Sequence, residues 1–224
     1  MGDIKNNKNG GQITGRTGLN GSGNYLPLDL GSTGDVLTID GSNNIVWVTS
    51  FIYEIGQYVS TEGGVILHRW MSNSIGGAPE KGSVQNYLIL DLNDLSIGTT
   101  WDFFGTNISG ADSFWDGYTN TNDMMLAGAS IGSAAEICSS STNNGKSDWY
   151  LPSVDELKIA YTNRFDITLG LLSAGGSEIF PVAYWTSTEG STTDSWFVDF
   201  ESGQTNYNPK TDSYRVRSIR KFSI

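Results

Sequence analysis

The sequence predicts an α+β fold in which a run of strands is followed by helices and then by further strands. The chain has 224 residues, 38% of them hydrophobic, which is enough to bury a sizeable core. Its 28 glycines and its low charged fraction of 17% favour many turns and little exposed helix. Strand-like runs lie on both sides of a helical pattern, an order typical of α+β proteins.

The first 50 residues are predicted to form an extended glycine-rich arm that ends in a β-hairpin. They hold ten glycines and seven asparagines but only two aromatic residues, too few for a core of their own. Two short apolar runs, 36–39 and 45–48, are joined by a polar segment that contains glycine, which predicts the hairpin. An isolated hairpin is marginally stable, so we expect residues 1–50 to serve attachment or oligomerisation.

Residues 51–224 have the composition of a packed domain, which we predict to be the binding domain. Strand-like runs cover 53–60, 63–70 and 86–92. A polar loop rich in aromatic residues follows over 101–123. Three further strand-like runs, at 183–189, 195–200 and 214–222, are separated by turns at Gly190 and at 203–210.

The first predicted helix covers 123–139. Its apolar stripe is formed by Ile131, Ala134, Ala135 and Cys138. Because Cys138 is the only cysteine, an intramolecular disulfide and a cysteine metal cluster are excluded. We expect this cysteine to be a small buried side chain.

The second predicted helix begins in the segment DWYLPSVDEL, residues 148–157. Ser153 and Glu156 have the spacing of a capping box, and apolar residues then repeat at helical spacing to about residue 164. Asp155 and Glu156 lie in the first turn, where negative charge is favourable. Capping therefore accounts for these acids without catalysis.

Charge excludes several classes of partner. Thirteen basic and 24 acidic residues give a net charge of −11, which disfavours nucleic acid and anionic lipid. The first ten residues contain no apolar run, so we expect no signal peptide and no membrane insertion.

A family resemblance covers residues 53–223 through motifs that occur in order. The motifs are GGVIL, AAEICSS, NGKSDWYLPSVDELKIAY, YWTSTE, SWFVDFESG and YRVRSIRKF. This series resembles the C-terminal domain of Legionella collagen-like adhesins. The resemblance implies a C-type-lectin-like fold with two helices and antiparallel sheets, and a binding function. It also implies that a set of motif residues is scaffold, namely Trp149, Pro152, Glu156, Trp185, Arg217 and Arg220.

The calcium motifs of sugar-binding C-type lectins are absent from the chain, so calcium-dependent sugar binding does not follow from the resemblance. We expect no cofactor. The candidate oxygen ligands for a calcium ion are Asp112, Asp116 and Asp123, which lie in a polar segment without EF-hand spacing.

A second resemblance concerns the arm. The segment GDVLTIDGSNNIVWV resembles a segment found near fibre and appendage proteins of tailed phages. It implies a virion surface protein that is assembled in the host cytoplasm. We expect a homo-oligomer, by analogy a trimer, whose residues 1–50 contact other virion proteins.

The expected ligand is a host surface glycan or protein. The candidate ligand-binding residues lie in the loops 105–122 and 203–212, and they are Trp115, Tyr118, Asn206, Tyr207 and Asn208. Aromatic rings stack on sugars and anchor protein contacts.

No catalytic residue is predicted. The pentapeptide GASIG at 128–132 fits the G-x-S-x-G pattern, but it lies in a helical pattern and the only histidine, His68, precedes it. Asp148, Asp155 and Glu156 could form a glycosidase pair. A depolymerase, a purely structural decoration protein and a bacterial adhesin therefore remain as alternatives.

Arginines close the domain sequence. In an acidic chain, Arg215, Arg217 and Arg220 are expected to pair with internal carboxylates. We predict that Arg217 or Arg220 pairs with an acid of the segment 147–157.

Overall fold

The computed structural model describes residues 53–80 and 82–224, together with the backbone of two strands in the arm. Those strands, β1 (Asp35–Ile39) and β2 (Ile45–Thr49), pair antiparallel, which confirms the predicted hairpin. The other predictions for residues 1–34 lie outside the described residues. The chain divides into two compact units, Met1–Ile52 and Tyr53–Ile224.

The second unit has strands, then helices, then strands, so the predicted α+β fold is confirmed. Its first strands are β3 (Tyr58–Val59), β4 (Gly64–Ser72), β5 (Val84–Asp91) and β6 (Ser96–Thr99). The helices are α1 (Gly117–Leu126), α2 (Ala134–Ser139), α3 (Val154–Thr162) and α4 (Arg164–Ser173), with a 3₁₀ turn at Asn143–Gly145. The later strands are β7 (Ala183–Glu189), β8 (Asp194–Asp199), β9 (Thr205–Pro209), β10 (Tyr214–Val216) and β11 (Ile219–Ser223).

Two sheets organise this unit. The four-stranded sheet has the order β11-β5-β4-β3 and is antiparallel throughout. The five-stranded sheet has the order β6-β10-β7-β8-β9 and contains one parallel pair, β10 with β7. The predicted run 214–222 is therefore two strands that belong to different sheets.

The prediction of a single helix over 123–139 is wrong. The structure has α1 and α2 instead, because Gly128 and Gly132 adopt φ values of +89° and +86°, which a continuing helix cannot accommodate. Ile131, placed on the predicted apolar stripe, is 96% exposed in the connection between the helices. Cys138 is buried, as expected.

The helix after the DWYLPSVDEL segment begins as predicted. The Ser153 side chain accepts from the Glu156 backbone N–H, and the Glu156 carboxylate accepts from the Ser153 backbone N–H, which confirms the capping box. α4 follows after one residue and was not predicted, so the unit has four α-helices where two were expected.

The predicted turn over 203–210 is also wrong in part, because residues 205–209 form the edge strand β9. This strand pairs with β8 from Val198–Thr205 to Asp194–Pro209. It is polar and half-exposed, which explains why its sequence, TNYNP, resembles a loop.

Two apolar clusters fill the domain. The first lies between the four-stranded sheet and α3 and α4, and includes Val65, Leu157 and Ile167. The second contains Trp101 and Trp185 with residues of α1 and α2. None of the helices in the described residues is both long enough and apolar enough to cross a membrane.

Arginines join distant segments, as predicted. Arg220 Nε donates to Asp148 Oδ1 at 2.6 Å and its Nη2 donates to Oδ2 at 2.9 Å, which confirms the expected pair with the 147–157 segment. Arg217 and Arg215 pair instead with Asp94, at 2.6 and 2.8 Å.

Candidate functional site

The described residues form a cleft of about 450 Å³, a size within the usual range of ligand sites. We call it the Trp115 cleft. It is lined by His68, Trp70, Gly76, Gly77, Ala78, Pro79, Leu88, Trp115, Asp116, Asp155, Glu156, Ile159 and Lys221. Most of these side chains are apolar or aromatic, and charged groups are few.

The floor of the Trp115 cleft is the face of the four-stranded sheet. His68 of β4 lies directly opposite Leu88 of β5, and Leu88 lies opposite Lys221 of β11. Residues that are opposite one another in a sheet share a face, so these three side chains form one row. Two positions along β4, Trp70 stacks on His68 with ring centroids 5.9 Å apart.

One wall is the connection between β4 and β5. The Trp70 indole N–H donates to the Gly77 carbonyl at 2.8 Å, and the Gly76 N–H donates to the Asn86 side-chain oxygen at 2.7 Å. These bonds hold the turn next to the sheet. They also fix the Trp70 ring in place.

The other wall is the segment that leads into α1. Trp115 is 74% exposed, and the next residue, Asp116, caps α1 by accepting from the Thr119 N–H at 3.2 Å. The Asp155 N–H donates to the Phe114 carbonyl at 2.9 Å, which ties this segment to the first turn of α3. Trp115 is therefore an exposed ring on a fixed backbone.

Glu156 joins the two helix starts. Its carboxylate accepts from the Gly117 N–H at 3.1 Å, from the Ser153 N–H at 2.9 Å and from the Tyr150 hydroxyl at 2.9 Å. A Cβ at Gly117 would lie 2.5 Å from the Glu156 carboxylate, so only glycine allows this approach. Glu156 thus positions the Trp115 segment rather than acting in catalysis.

Two ionisable groups of the cleft have shifted pKa values. Burial raises the pKa of the Glu156 carboxyl above its ordinary value, opposed by Lys221, whose Nζ is 3.6 Å from Oε1, and by the hydrogen bonds. Burial lowers the pKa of the His68 imidazole. His68 has no hydrogen-bond partner among the described residues, so its ring nitrogens are available to a ligand.

Of the predicted ligand-binding residues, the structure places only Trp115 in the cleft. Tyr118 is 49% exposed on α1 and packs edge-on against Tyr150, with ring centroids 5.7 Å apart. Tyr207 is 53% exposed on β9 and packs against Trp196 at 5.3 Å.

The asparagines beside Tyr207 have partners within the domain. Asn208 donates to the Asp212 carboxylate at 3.3 Å and also to the Tyr214 hydroxyl. The Asn206 side chain accepts from the Tyr207 N–H at 2.9 Å. Both therefore support the shape of the β9 region.

Just beyond β9, Lys210 is completely buried. Its Nζ pairs with Glu189, donates to the Thr106 and Thr192 carbonyls at 2.9 and 3.2 Å, and lies 4.8 Å from the centre of the Trp101 ring. This ammonium fastens the segment after Trp101 to the five-stranded sheet.

The residues expected to be scaffold are buried at the junctions of the domain. Trp149 donates to the Asn143 carbonyl at 3.2 Å, and Trp185 donates to the Thr99 carbonyl at 2.9 Å. The buried set comprises Trp149, Pro152, Glu156, Trp185, Arg217 and Arg220.

The candidate calcium ligands do not form a metal-binding group. Asp112 is exposed, Asp116 caps α1, and the Asp123 carboxylate lies beside Gly110. Within residues 53–80 and 82–224, no three acidic, histidine or cysteine side chains are arranged to hold a metal ion.

The G-x-S-x-G pentapeptide does not form a nucleophile elbow. Ser130 is exposed in the connection between α1 and α2, where its N–H donates to Asp102 at 2.6 Å. The elbow requires a strand before the serine, and none precedes it here.

Sequence reasoning missed most of the cleft. His68 and Trp70 alternate along a predicted strand, which indicated that they share a face. That Lys221 joins them depends on the pairing of β11 with β5, which no local pattern shows.

Comparison with curated proteins finds no match to the chain. Comparison with family models finds the Lcl C-terminal domain over residues 91–220, more than half of the chain. This is the family whose motifs the chain was seen to resemble, and it is an adhesin-type domain. The match includes α1, α3, the five-stranded sheet and most of the segments around the Trp115 cleft. The chain therefore belongs to the Lcl C-terminal domain family.

Proposed function

We propose that this chain is a surface protein of a phage virion, in the form of a fibre, appendage or decoration protein, that binds a host surface glycan in the Trp115 cleft. The observation that carries the proposal is the cleft itself. It combines the exposed Trp115 ring with the fixed His68–Trp70 stack in a concave site of about 450 Å³.

The chemistry of the cleft fits a sugar. Sugar rings have apolar C–H faces, which stack on aromatic rings, and hydroxyl groups at their edges, which need hydrogen-bond partners. Asp155 is exposed at the cleft and its carboxylate has no partner among the described residues, while His68 supplies unpaired ring nitrogens. Aromatic faces and free polar groups are thus available together.

The virion context is supported by the arm. Its hairpin falls in the segment that resembles those near phage fibre and appendage proteins. In this proposal residues 1–50 bind other virion proteins and copies of the same chain, with a trimer as the expected assembly. The protein is made in the host cytoplasm and displayed on the particle.

We propose binding without catalysis. A depolymerase is the second candidate, because two carboxylates, Asp116 and Asp155, line the same cleft and glycosidases use paired acids. A structural decoration protein would bind no glycan at all.

The test is binding of the purified full chain to an array of bacterial surface polysaccharides, with an assay for released reducing ends. We expect retention of at least one polysaccharide, no reducing ends, and loss of binding in Trp115→Ala. Tyr207→Ala is the matched control, since it removes an exposed aromatic ring outside the cleft. Binding that survives Trp115→Ala contradicts the assigned site, and release of reducing ends favours the depolymerase.

The assembly is tested separately by light scattering after size exclusion of the full chain and of residues 51–224. We expect an oligomer only for the full chain. Two monomers contradict the proposed role of the arm. Imaging of purified particles locates the protein, and its absence from them favours a bacterial adhesin.

A further inference from the structure

We propose that the Trp115 cleft selects glycans with a free amino group and rejects acidic glycans. This inference rests on the proposed glycan-binding function. The shared chemistry of the ligand is a sugar ring with a protonated amine, whatever polymer presents it.

The charges of the cleft are unbalanced. Its lining contains the carboxylates of Asp116, Asp155 and Glu156 and a single basic side chain, Lys221. The Lys221 ammonium is 3.8 Å from Asp116 and 3.6 Å from Glu156, so its charge is already opposed by two acids. Asp155 has no compensating side chain within the described residues.

The start of α3 offers an anion nothing to bind. A helix N-terminus usually attracts anions through its free N–H groups. Here the Val154 N–H donates to Thr188 at 3.3 Å, the Asp155 N–H donates to Phe114 at 2.9 Å and the Glu156 N–H is taken by the capping box. The donors of this turn are occupied, while the Asp155 carboxylate is not.

Hydrogen-bond groups at the mouth match an ammonium. Asp155 can only accept, and the neutral His68 ring accepts at one nitrogen. An ammonium has three donors and no acceptor, whereas the carboxylate of an acidic sugar would place a second anion beside Asp155.

The aromatic rings add to this preference. Trp115 is 74% exposed, and Trp70 is held with its N–H bonded to Gly77. The face of an indole ring attracts a cation, and it also packs against the C–H face of a sugar. One amino sugar can therefore use both the rings and the carboxylate.

The experiment compares three probes by calorimetry with the full chain at about pH 6 and low salt: chitotriose, its fully N-acetylated form, and trigalacturonate. The first two have the same ring stereochemistry and differ in charge. We expect the amine form to bind about threefold to tenfold more tightly than the N-acetylated form, and trigalacturonate not to bind. The advantage should disappear in about 0.5 M salt.

Two variants assign the effect. Asp155→Asn should remove the preference for the amine form and leave folding unchanged. Asp166→Asn is the matched control, because Asp166 is also an exposed acid in the first turn of a helix but does not line the cleft.

Three results overturn the inference: equal or tighter binding of the N-acetylated form, binding of trigalacturonate, or the same loss in both variants. Failure of all three probes to bind also overturns it. The proposed function is decided independently by the polysaccharide array, since a neutral polysaccharide that binds through Trp115 supports the function while this inference fails.

Discussion

The Trp115 cleft and the β9 edge strand each present an exposed aromatic ring, but they differ in what surrounds it. Around Tyr207, Asn208 and the buried Lys210 already have partners inside the domain. In the Trp115 cleft, His68 and Asp155 have unpaired polar groups, judged over the described residues. An exposed ring therefore indicates a binding site only where concavity and unsatisfied polar groups accompany it.

The largest expected effect comes from the β9 side. Lys210→Met should lower the free energy of unfolding by about 3–5 kcal/mol, because it leaves Glu189 buried without its counter-ion. Chemical denaturation measures the loss. If the comparison is right, the folded variant still binds glycan, and adding Glu189→Gln recovers part of the stability.

On the cleft side, Glu156→Gln should lower the free energy of unfolding by about 1–3 kcal/mol, because an amide cannot accept from all the donors around this carboxylate. It should also weaken glycan binding, since the Trp115 segment loses an anchor. Asp155→Asn is the control for stability, because its side chain is exposed. Unchanged binding in folded Glu156→Gln contradicts the positioning role.

The same variant has a pH signature. Burial raises the folded pKa of Glu156 above its unfolded value, so its contribution is fully present below the unfolded pKa and is lost as pH rises through the folded pKa. The stability lost in Glu156→Gln should therefore be larger near pH 4 than near pH 7. Denaturation curves at the two values measure it, and the opposite order contradicts the assigned direction.

Trp115→Ala and Tyr207→Ala sharpen the comparison directly. Trp115→Ala should change stability by no more than about 0.5 kcal/mol and weaken glycan binding at least tenfold, whereas Tyr207→Ala should cost about 0.5–1.5 kcal/mol of stability through its contact with Trp196. Binding by Tyr207→Ala should change less than about twofold. Equal effects of both variants on binding would remove the distinction between the two regions.

The smallest effect concerns His68. Burial lowers its folded pKa, so its contribution to stability is present above the unfolded value of 6.5 and is lost as pH falls through the folded pKa. His68→Gln should therefore lose less stability than the unchanged protein between pH 7 and pH 5. Thermal unfolding at both values checks this, and identical slopes contradict it.

Local patterns predicted the parts of the fold that depend on neighbouring residues. The capping box of Ser153 and Glu156 and the strand β7 follow from short-range spacing. The family motifs also predicted the domain. The break between α1 and α2 was missed because two glycines within an apolar pattern were treated as a weak helix rather than as its interruption.

The candidate site was predicted only in part, for a physical reason. Trp115 could be selected from its loop, but its neighbours come from β4, β11 and the start of α3. Residues so far apart in sequence meet only through strand pairing. The edge strand β9 was missed because its polar residues do not show the alternation of a half-buried strand.

The row His68, Leu88 and Lys221 has a consequence for folding. Lys221 reaches its place only when β11 pairs with β5, and these strands are more than half the chain apart. Such distant contacts carry a large loop-closure cost and form slowly. A nascent chain accordingly presents no finished cleft until residues 219–223 have left the ribosome, so ligand capture reports that folding is complete.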